Sequence, residues 1–360
     1  MRGPPVEPGR CGVAVRMRDV ARLAGVSEAT VSLVLSGNPR ISEATRHRVI
    51  QIADQLGYRP HAGARALRTD STQALGLIVS DVANPFFAEL AGQIERIAAA
   101  EGYAVVLCNS DEDANRQDAY LSSLLAGSQV DGVMLVPTEE MTPGILAAAE
   151  AGASMVLLDR PILVTGHGSA HRRLRKAPVV RASATDALNE VADLLVGLGH
   201  RRFGVVALPL ATEIGRERRD LLVQALRARG IPGEDITVVP GDFRQQSGEL
   251  AVEQLLTEKP APTAFVASDG PMAIGAMKAL RRAGLRIPHD VSLVGFDDAP
   301  WLDLLDPPLT TVAQPVGEIA VAAVAAMLEL LAGGAPRGAS PACWLVSRSS
   351  CAPPPPDATP

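Results

Sequence analysis

From residue 74 onward the chain repeats one pattern: a short unbroken apolar run, then a longer stretch with apolar positions at helical spacing. The runs at 75–80, 104–109, 132–137, 155–159, 203–207, 237–240, 264–268 and 292–296 predict strands. The intervening spacing predicts helices over 87–101, 115–127, 142–151, 184–198, 216–229, 246–258, 271–283 and 316–332. Gly102, Gly152, Gly199, Gly230 and Gly284 stand where helices end, and glycine suits the left-handed turn there. Unbroken apolar strands separated by helices predict parallel sheets covered on both faces. This length of pattern fits two doubly wound lobes better than one. A ligand then belongs between the lobes, at the carboxyl ends of the strands.

The chain before residue 74 reads differently. In Met17–Ala24, Val20, Leu23 and Ala24 fall at helical spacing; Gly25 ends that helix and Ser27 caps a second, 28–35. Val31, Val34 and Leu35 form its buried side, leaving Ser27, Glu28, Ala29, Ser32 and Leu33 facing outward. A third helix, 42–56, buries Val49, Ile52, Ala53 and Leu56. Two short helices joined by a tight turn and braced by a third fit a helix-turn-helix. They fit equally a helical hairpin that packs on another protein.

Charge separates the two parts. The net charge of −6 opposes nucleic-acid binding by itself, but residues 1–70 carry 11 basic against 6 acidic side chains and the rest 23 against 34. A basic head on an acidic body suits a protein that meets phosphates at one end. No apolar run of membrane-spanning length occurs, and residues 1–16 lack the apolar core of a secretory signal. That segment, rich in Pro and Gly, reads as a disordered lead, and Met17 is itself a candidate start. Cys11, Cys108, Cys343 and Cys351 share no metal-ligand spacing and read as free thiols in a reducing cytoplasm. No Walker loop, G-x-S-x-G elbow or H-E-x-x-H motif is present, so an enzyme, a cofactor or a metal is not expected.

RDVARLAGVSEATVSLVLSG followed by ISEATRHRVIQIADQLGYRP closely resembles the DNA-binding head of the LacI/GalR repressor family, without a gap from 17 to 60. The resemblance implies base reading by Glu28, Ala29 and Leu33. It implies phosphate contacts from Ser27, Thr30, Ser32, Ser36, Ser42, Thr45 and Tyr58. Position 33, often Arg in the family, is Leu here and cannot make the bidentate guanine contact. The operator preference of Arg-bearing relatives therefore does not carry over. Segment 62–73 alone reads as a linker too short for a stable helix in water. The family implies that it folds as a hinge helix on the operator. Leu67 then wedges into the minor groove with Ala64 beside it and Arg65 and Arg68 near phosphates. His61 replaces the family's usual Asn, which puts one backbone contact in doubt.

LGLIVSDVANPFFAEL, QVDGVMLVP, LLDRP, LGHRRFGVV, the run from PTAFVASDG to VGFDD, and DPPLTTVAQP are similar to core segments of that family in the expected order. They are also similar to periplasmic sugar-binding proteins. The resemblance implies chain crossings between lobes near residue 160 and again near Gln314, which return the last helix to the first lobe. It implies effector contacts from Arg218, Asp297, Ser80, Ser268, Asp269, Phe87 and Phe243. Asp159 and Trp301 are added from their strand-end and neighbouring positions. The plainer readings are a surface charge for Arg218, turn or cap roles for Asp159 and Asp269, and core packing for the rings.

The match breaks at Arg181, where the family has Asp, and in the basic stretch HGSAHRRLRKAP. A solvated loop or a cation favouring an anionic effector both fit. Thr212, Glu213 and Ile214 differ from purine-type repressors, which argues against a purine corepressor.

The expected plan is an all-α helix-turn-helix head (17–61), a hinge (62–73), a core of two parallel-sheet lobes (74–348) and a disordered tail (349–360). The implied function is a cytoplasmic, effector-controlled repressor, a homodimer on a pseudo-palindromic double-stranded operator, with a carbohydrate as effector. A transport-type sugar-binding protein is the competing reading.

Overall fold

The computed structural model describes residues 15–35, 38, 40–58, 71–126, 128–138 and 141–356. Contacts divide the chain into two units, Met1–Thr72 and Gln73–Pro360.

The first unit contains α1 (Met17–Ala24), α2 (Glu28–Leu35) and α3 (Glu43–Leu56). Gly25 and Gly57 end α1 and α3 in the left-handed conformation, at φ 65° and 66°. Ser27 and Ser42 begin α2 and α3, each hydroxyl accepting the backbone N–H three residues on. Val20, Ala24, Val31, Val34, Val49, Ala53 and Tyr58 close a small core. Leu23, expected inside from its spacing, is 56% exposed. Val20, Ala21 and Ala24 already fill the face of α1 that meets its neighbours.

The second unit has two parallel sheets. Sheet one contains β1 (Ala74–Val79), β2 (Ala104–Asn109), β3 (Gly132–Leu135), β4 (Ser154–Leu158) and β5 (Val179–Val180), in the order β2-β1-β3-β4-β5. Its early helices are α4 (Pro85–Ala100), α5 (Ala114–Ala126), α6 (Pro143–Glu150) and α7 (Ser169–Lys176). Sheet two contains β6 (Phe203–Ala207), β7 (Ile236–Pro240), β8 (Ala264–Ala267), β9 (Ser292–Phe296), β10 (Thr310–Ala313) and β11 (Trp344–Val346), in the order β11-β10-β9-β8-β6-β7. The helices that follow are α8 (Thr185–Gly197), α9 (Glu213–Ala228), α10 (Gln245–Leu255), α11 (Gly270–Arg282) and α12 (Val316–Leu331). All pairings are parallel except β10 with β11. Strand order reverses between β1 and β3 in one lobe and between β6 and β8 in the other, so each lobe has its own switch point.

Three expectations need correction. The first crossing does not fall near residue 160: β5 still pairs with β4, and the chain passes over only after Val180. Two apolar residues, of which Val180 is buried, suffice to extend the sheet, too short a run to register in the sequence. The crossing near Gln314 does return α12 to sheet one, where it packs against α4. A further crossing then follows Ala339, which bridges to Val180, and leads to β11. The basic stretch is no loop: 169–176 forms α7, anchored by buried Ala170 and Leu174. Finally, the tail is ordered through residue 356. Ser350 is buried, its hydroxyl donating to the Leu293 carbonyl, and Ala352 pairs with Ser292 and His200. These pairings offset the desolvation of the segment's buried polar groups.

Candidate functional site

On the head, α2 presents Glu28, Ala29 and Leu33 to solvent, with Leu33 40% exposed. Thr30 and Ser32 are half-buried beside them. Ser27 and Thr30 share a hydroxyl contact of 2.8 Å, and Ser42 and Thr45 one of 2.9 Å. Each capping serine therefore sits at a helix N-terminus, where backbone N–H groups favour an anion. Tyr58 contributes its ring to the head's core. Burial, and then the carboxylate of Glu28, push its phenol above the ordinary value. Ser36, His61, Ala64 and Leu67 lie outside the described residues.

In the second unit, a crevice opens at the carboxyl ends of both sheets. Its walls come from Asp81 after β1, Glu112 after β2, Asp159 and Arg160 after β4, Phe243 after β7, Asp269 after β8, Asp297 after β9 and Gln314 after β10. Asn84, Phe86 and Phe87 from the start of α4, Leu208, and Ile214 and Arg218 from α9 complete it; the space measures about 400 Å3 with its mouth. Parallel sheets force this arrangement, because every strand of a lobe delivers its next residue to the same edge.

Arg218 lies against the Phe296 ring, its guanidinium carbon 3.8 Å from the centroid, and donates to the Ser268 carbonyl at 2.8 Å. It is buried, unlike a surface helix charge. Asp269 caps α11, accepting the Met272 N–H at 2.9 Å, so its cap role and its cleft position coexist. Asp297 accepts from the Gln314 amide at 2.6 Å and from the Gly270 N–H at 3.3 Å. Burial pushes both carboxyls up; Asp297 further raises Asp269, while Arg218 pulls both down. Asp159, Phe243 and Asp297 all adopt left-handed φ, at 63°, 69° and 65°. Such backbone costs about 1–3 kcal/mol each and clusters at ligand sites.

The structure thus brings together Phe87, Asp159, Arg218, Phe243, Asp269 and Asp297. Ser80 and Ser268 stand one layer behind, both buried: Ser80 accepts from Arg160 at 3.4 Å and the Ser268 carbonyl holds Arg218. Trp301 is not on this wall. It is 38% exposed and lines an adjoining apolar recess with Pro85, Ile274, Leu302 and Leu309. The short helical turn at Pro300–Leu304 directs it there. Arg181 also stays out of the crevice; Glu217 at 2.8 Å and Glu213 at 3.6 Å neutralise it.

Sequence reasoning missed Arg160, Glu112 and Gln314. Arg160 is 1% exposed and grips Glu112 with two hydrogen bonds, at 2.7 and 3.0 Å. Its guanidinium carbon stands 4.7 Å from the Phe243 centroid, across the crevice. The signal was present: Arg160 follows Asp159 directly at a strand end. A second contact also crosses between the lobes, from Arg244 to Asp111 at 3.1 Å. Among the described residues no group of three or more His, Cys, Asp or Glu could hold a metal, and no helix is long and apolar enough to cross a membrane.

The chain is similar to known bacterial regulatory proteins. The family pattern described as bacterial regulatory proteins, lacI family, matches residues 16–61, and a periplasmic binding protein-like domain matches 192–351. The chain is 33% identical to catabolite control protein A of Priestia megaterium over 311 residues, 86% of this chain and 90% of that one. It is 33% identical to the HTH-type transcriptional repressor PurR of Yersinia pestis (strain Pestoides F) over 313 residues, 87% and 89% of the two chains. Among solved structures it is similar to the Lac repressor dimer bound to operator and the anti-inducer ONPF. That likeness has TM-score 0.80 and 26% identity, and covers 94% of this chain and 100% of that one. It is also similar to a complex of the transcriptional regulator CelR with cellobiose, with TM-score 0.68, 29% identity and coverage of 93% and 99%.

Proposed function

The chain belongs to the lacI family of bacterial regulatory proteins, and from that premise we propose a repressor whose operator affinity is set by a carbohydrate bound between its core lobes. The head reads DNA through α2: Glu28, Ala29 and Leu33 meet base edges while Ser27, Thr30, Ser32, Ser42 and Thr45 hold phosphates. Two heads related by a twofold axis read a pseudo-palindrome, in line with the dimeric Lac repressor on its operator.

The observation that carries the effector class is the crevice's composition. Five carboxylates, from Asp81, Glu112, Asp159, Asp269 and Asp297, face only two guanidiniums. Arg160 is already committed to Glu112, and Arg218 to Ser268. That balance opposes an anionic ligand. Carboxylates, Gln314 and Asn84 can bond many hydroxyls, while the Phe87 and Phe243 rings offer apolar faces to a sugar. Neighbours bound to cellobiose and to ribose support the same class.

The test is gel-shift titration on palindromic promoter fragments, with ribose, cellobiose and a panel of neutral sugars added. One sugar is expected to change the shift. Arg218→Ala should abolish that response while sparing operator binding, because Arg218 stands on the core. A normal response in Arg218→Ala would remove the crevice from the mechanism.

A further inference from the structure

The basic stretch that forms α7 takes no part in the crevice. Its Arg173, Arg175 and Lys176, together with Arg337 after α12, line an open groove with about 1480 Å3 of empty space. The floor is apolar, including Ala153, Met155, Leu330 and Pro336. Arg173 and Arg175 donate to the neutral carbonyls of Ala149, Glu150, Val164 and Gly166. No described carboxylate oxygen comes within 4.0 Å of any of the four cations. This is an uncompensated positive patch on a body whose charge is otherwise acidic.

Its place in the fold gives it a partner. The groove lies at the amino ends of β4 and β5, beside Ser154 and Pro178. Register aligns Leu75 with Gly132 and Gly132 with Ser154, so β1 enters the sheet at that same end. With strands about 4.8 Å apart, β4 stands only about 10 Å from β1. Gln73, where the chain arrives from the DNA-reading head, therefore shares this end of the core, and the effector crevice occupies the opposite one.

We propose that this groove binds the phosphate backbone of duplex DNA flanking the operator, so that the core adds a sequence-independent share of affinity. The inference rests on the DNA-reading function above. Cations without counter-charges release condensed counterions when they meet phosphates, and each contact adds about 0.9 to the log–log salt slope.

Full-length protein is titrated on a minimal palindrome and on the same palindrome extended by two helical turns at each end, over a range of salt. The wild type should bind the extended duplex more tightly and with the steeper slope. Arg175→Gln/Lys176→Gln/Arg337→Gln should lose about 2.7 of slope per protomer on the extended duplex only. Its unchanged binding to the minimal palindrome shows that it folds. Lys176→Glu/Arg337→Glu, which alters exposed tips alone, should make the extended duplex the weaker ligand. Equal wild-type binding to both duplexes overturns the proposal. An undiminished slope in the triple variant also overturns it and assigns the groove to an acidic protein segment. If the wild type shifts neither duplex, the DNA-reading function fails first, and this inference with it.

Discussion

Arg160 is the residue on which the first lobe's side of the crevice turns, and replacing it with Met tests that directly. Its guanidinium makes two hydrogen bonds to Glu112 and one to Ser80, and packs over Phe243. Breaking a buried ion pair by removing one partner costs about 3–5 kcal/mol. The Glu112 side chain keeps 21% of its exposure, so water recovers part of that cost and the lower end, about 3 kcal/mol, applies. At roughly 2–4 °C per kcal/mol for a domain of this class, Arg160→Met should lower the core's melting temperature by about 6–12 °C. Glu112→Gln alone should cost a similar amount, because it takes from the buried cation its two-bonded carboxylate partner, with Asp159 3.5 Å away. The double variant should recover about 2 kcal/mol relative to the sum, since neither charge is then stranded. Thermal unfolding of the four proteins closes the cycle. A loss below about 2 °C in Arg160→Met, or strict additivity in the double variant, would refute the reasoning.

Asp269→Asn tests the buried carboxyl. Burial and Asp297 raise the Asp269 carboxyl, so above the ordinary range of about pH 4 the folded chain keeps a proton that the unfolded chain has released. Wild-type stability therefore falls as pH rises toward the raised folded value. Asn keeps the cap on α11 and has no such charge, so the variant's advantage should grow from pH 5 to pH 8; a pH-independent difference in melting temperature would contradict this. Leu67→Ala tests the hinge that family resemblance implies: specific operator binding should weaken by one to two orders of magnitude and nonspecific binding much less. Equal weakening in gel shifts on specific and random duplexes would count against a minor-groove wedge.

Much of this architecture was legible because its signals are local and redundant. Each long strand is an unbroken apolar run, and glycines such as Gly102 and Gly199 mark helix ends with φ of 83° and 99°. The pieces that escaped have weak local signals. β5 is two residues long, and β11 is a three-residue edge strand whose place depends on its pairing to β10. α7 has a mean composition so polar that Ala170 and Leu174 alone hint at a buried side. The crevice residues divide in the same way. Arg218 and Asp297 come with distinctive motifs, whereas Arg160 has its role only because Glu112 and Phe243 arrive from elsewhere in the chain. Trp301 misled for the converse reason: nearness in sequence to Asp297 does not fix the side toward which a short helical turn points.

The same contacts explain why occupancy of the crevice can change the core's state. The lobes are joined by three chain crossings, after Val180, after Ala313 and after Ala339, and a ligand's polar partners come from both sheets. The ion pair and the cation–ring contact that cross the crevice are individually weak. Arg244 and Asp111 are both substantially exposed, and such a pair contributes no more than about 1 kcal/mol. Arg160 over Phe243 adds about 1–2 kcal/mol at a largely desolvated site. Contacts of that size are ones a ligand can outweigh, because moving an equilibrium from 1:99 to 99:1 takes about 5.5 kcal/mol of differential affinity. A rigid interface of core-like packing would need far more. Weak contacts of this kind suit the core to sensing, and a ligand in the crevice would move the equilibrium by its differential contacts with the two lobes.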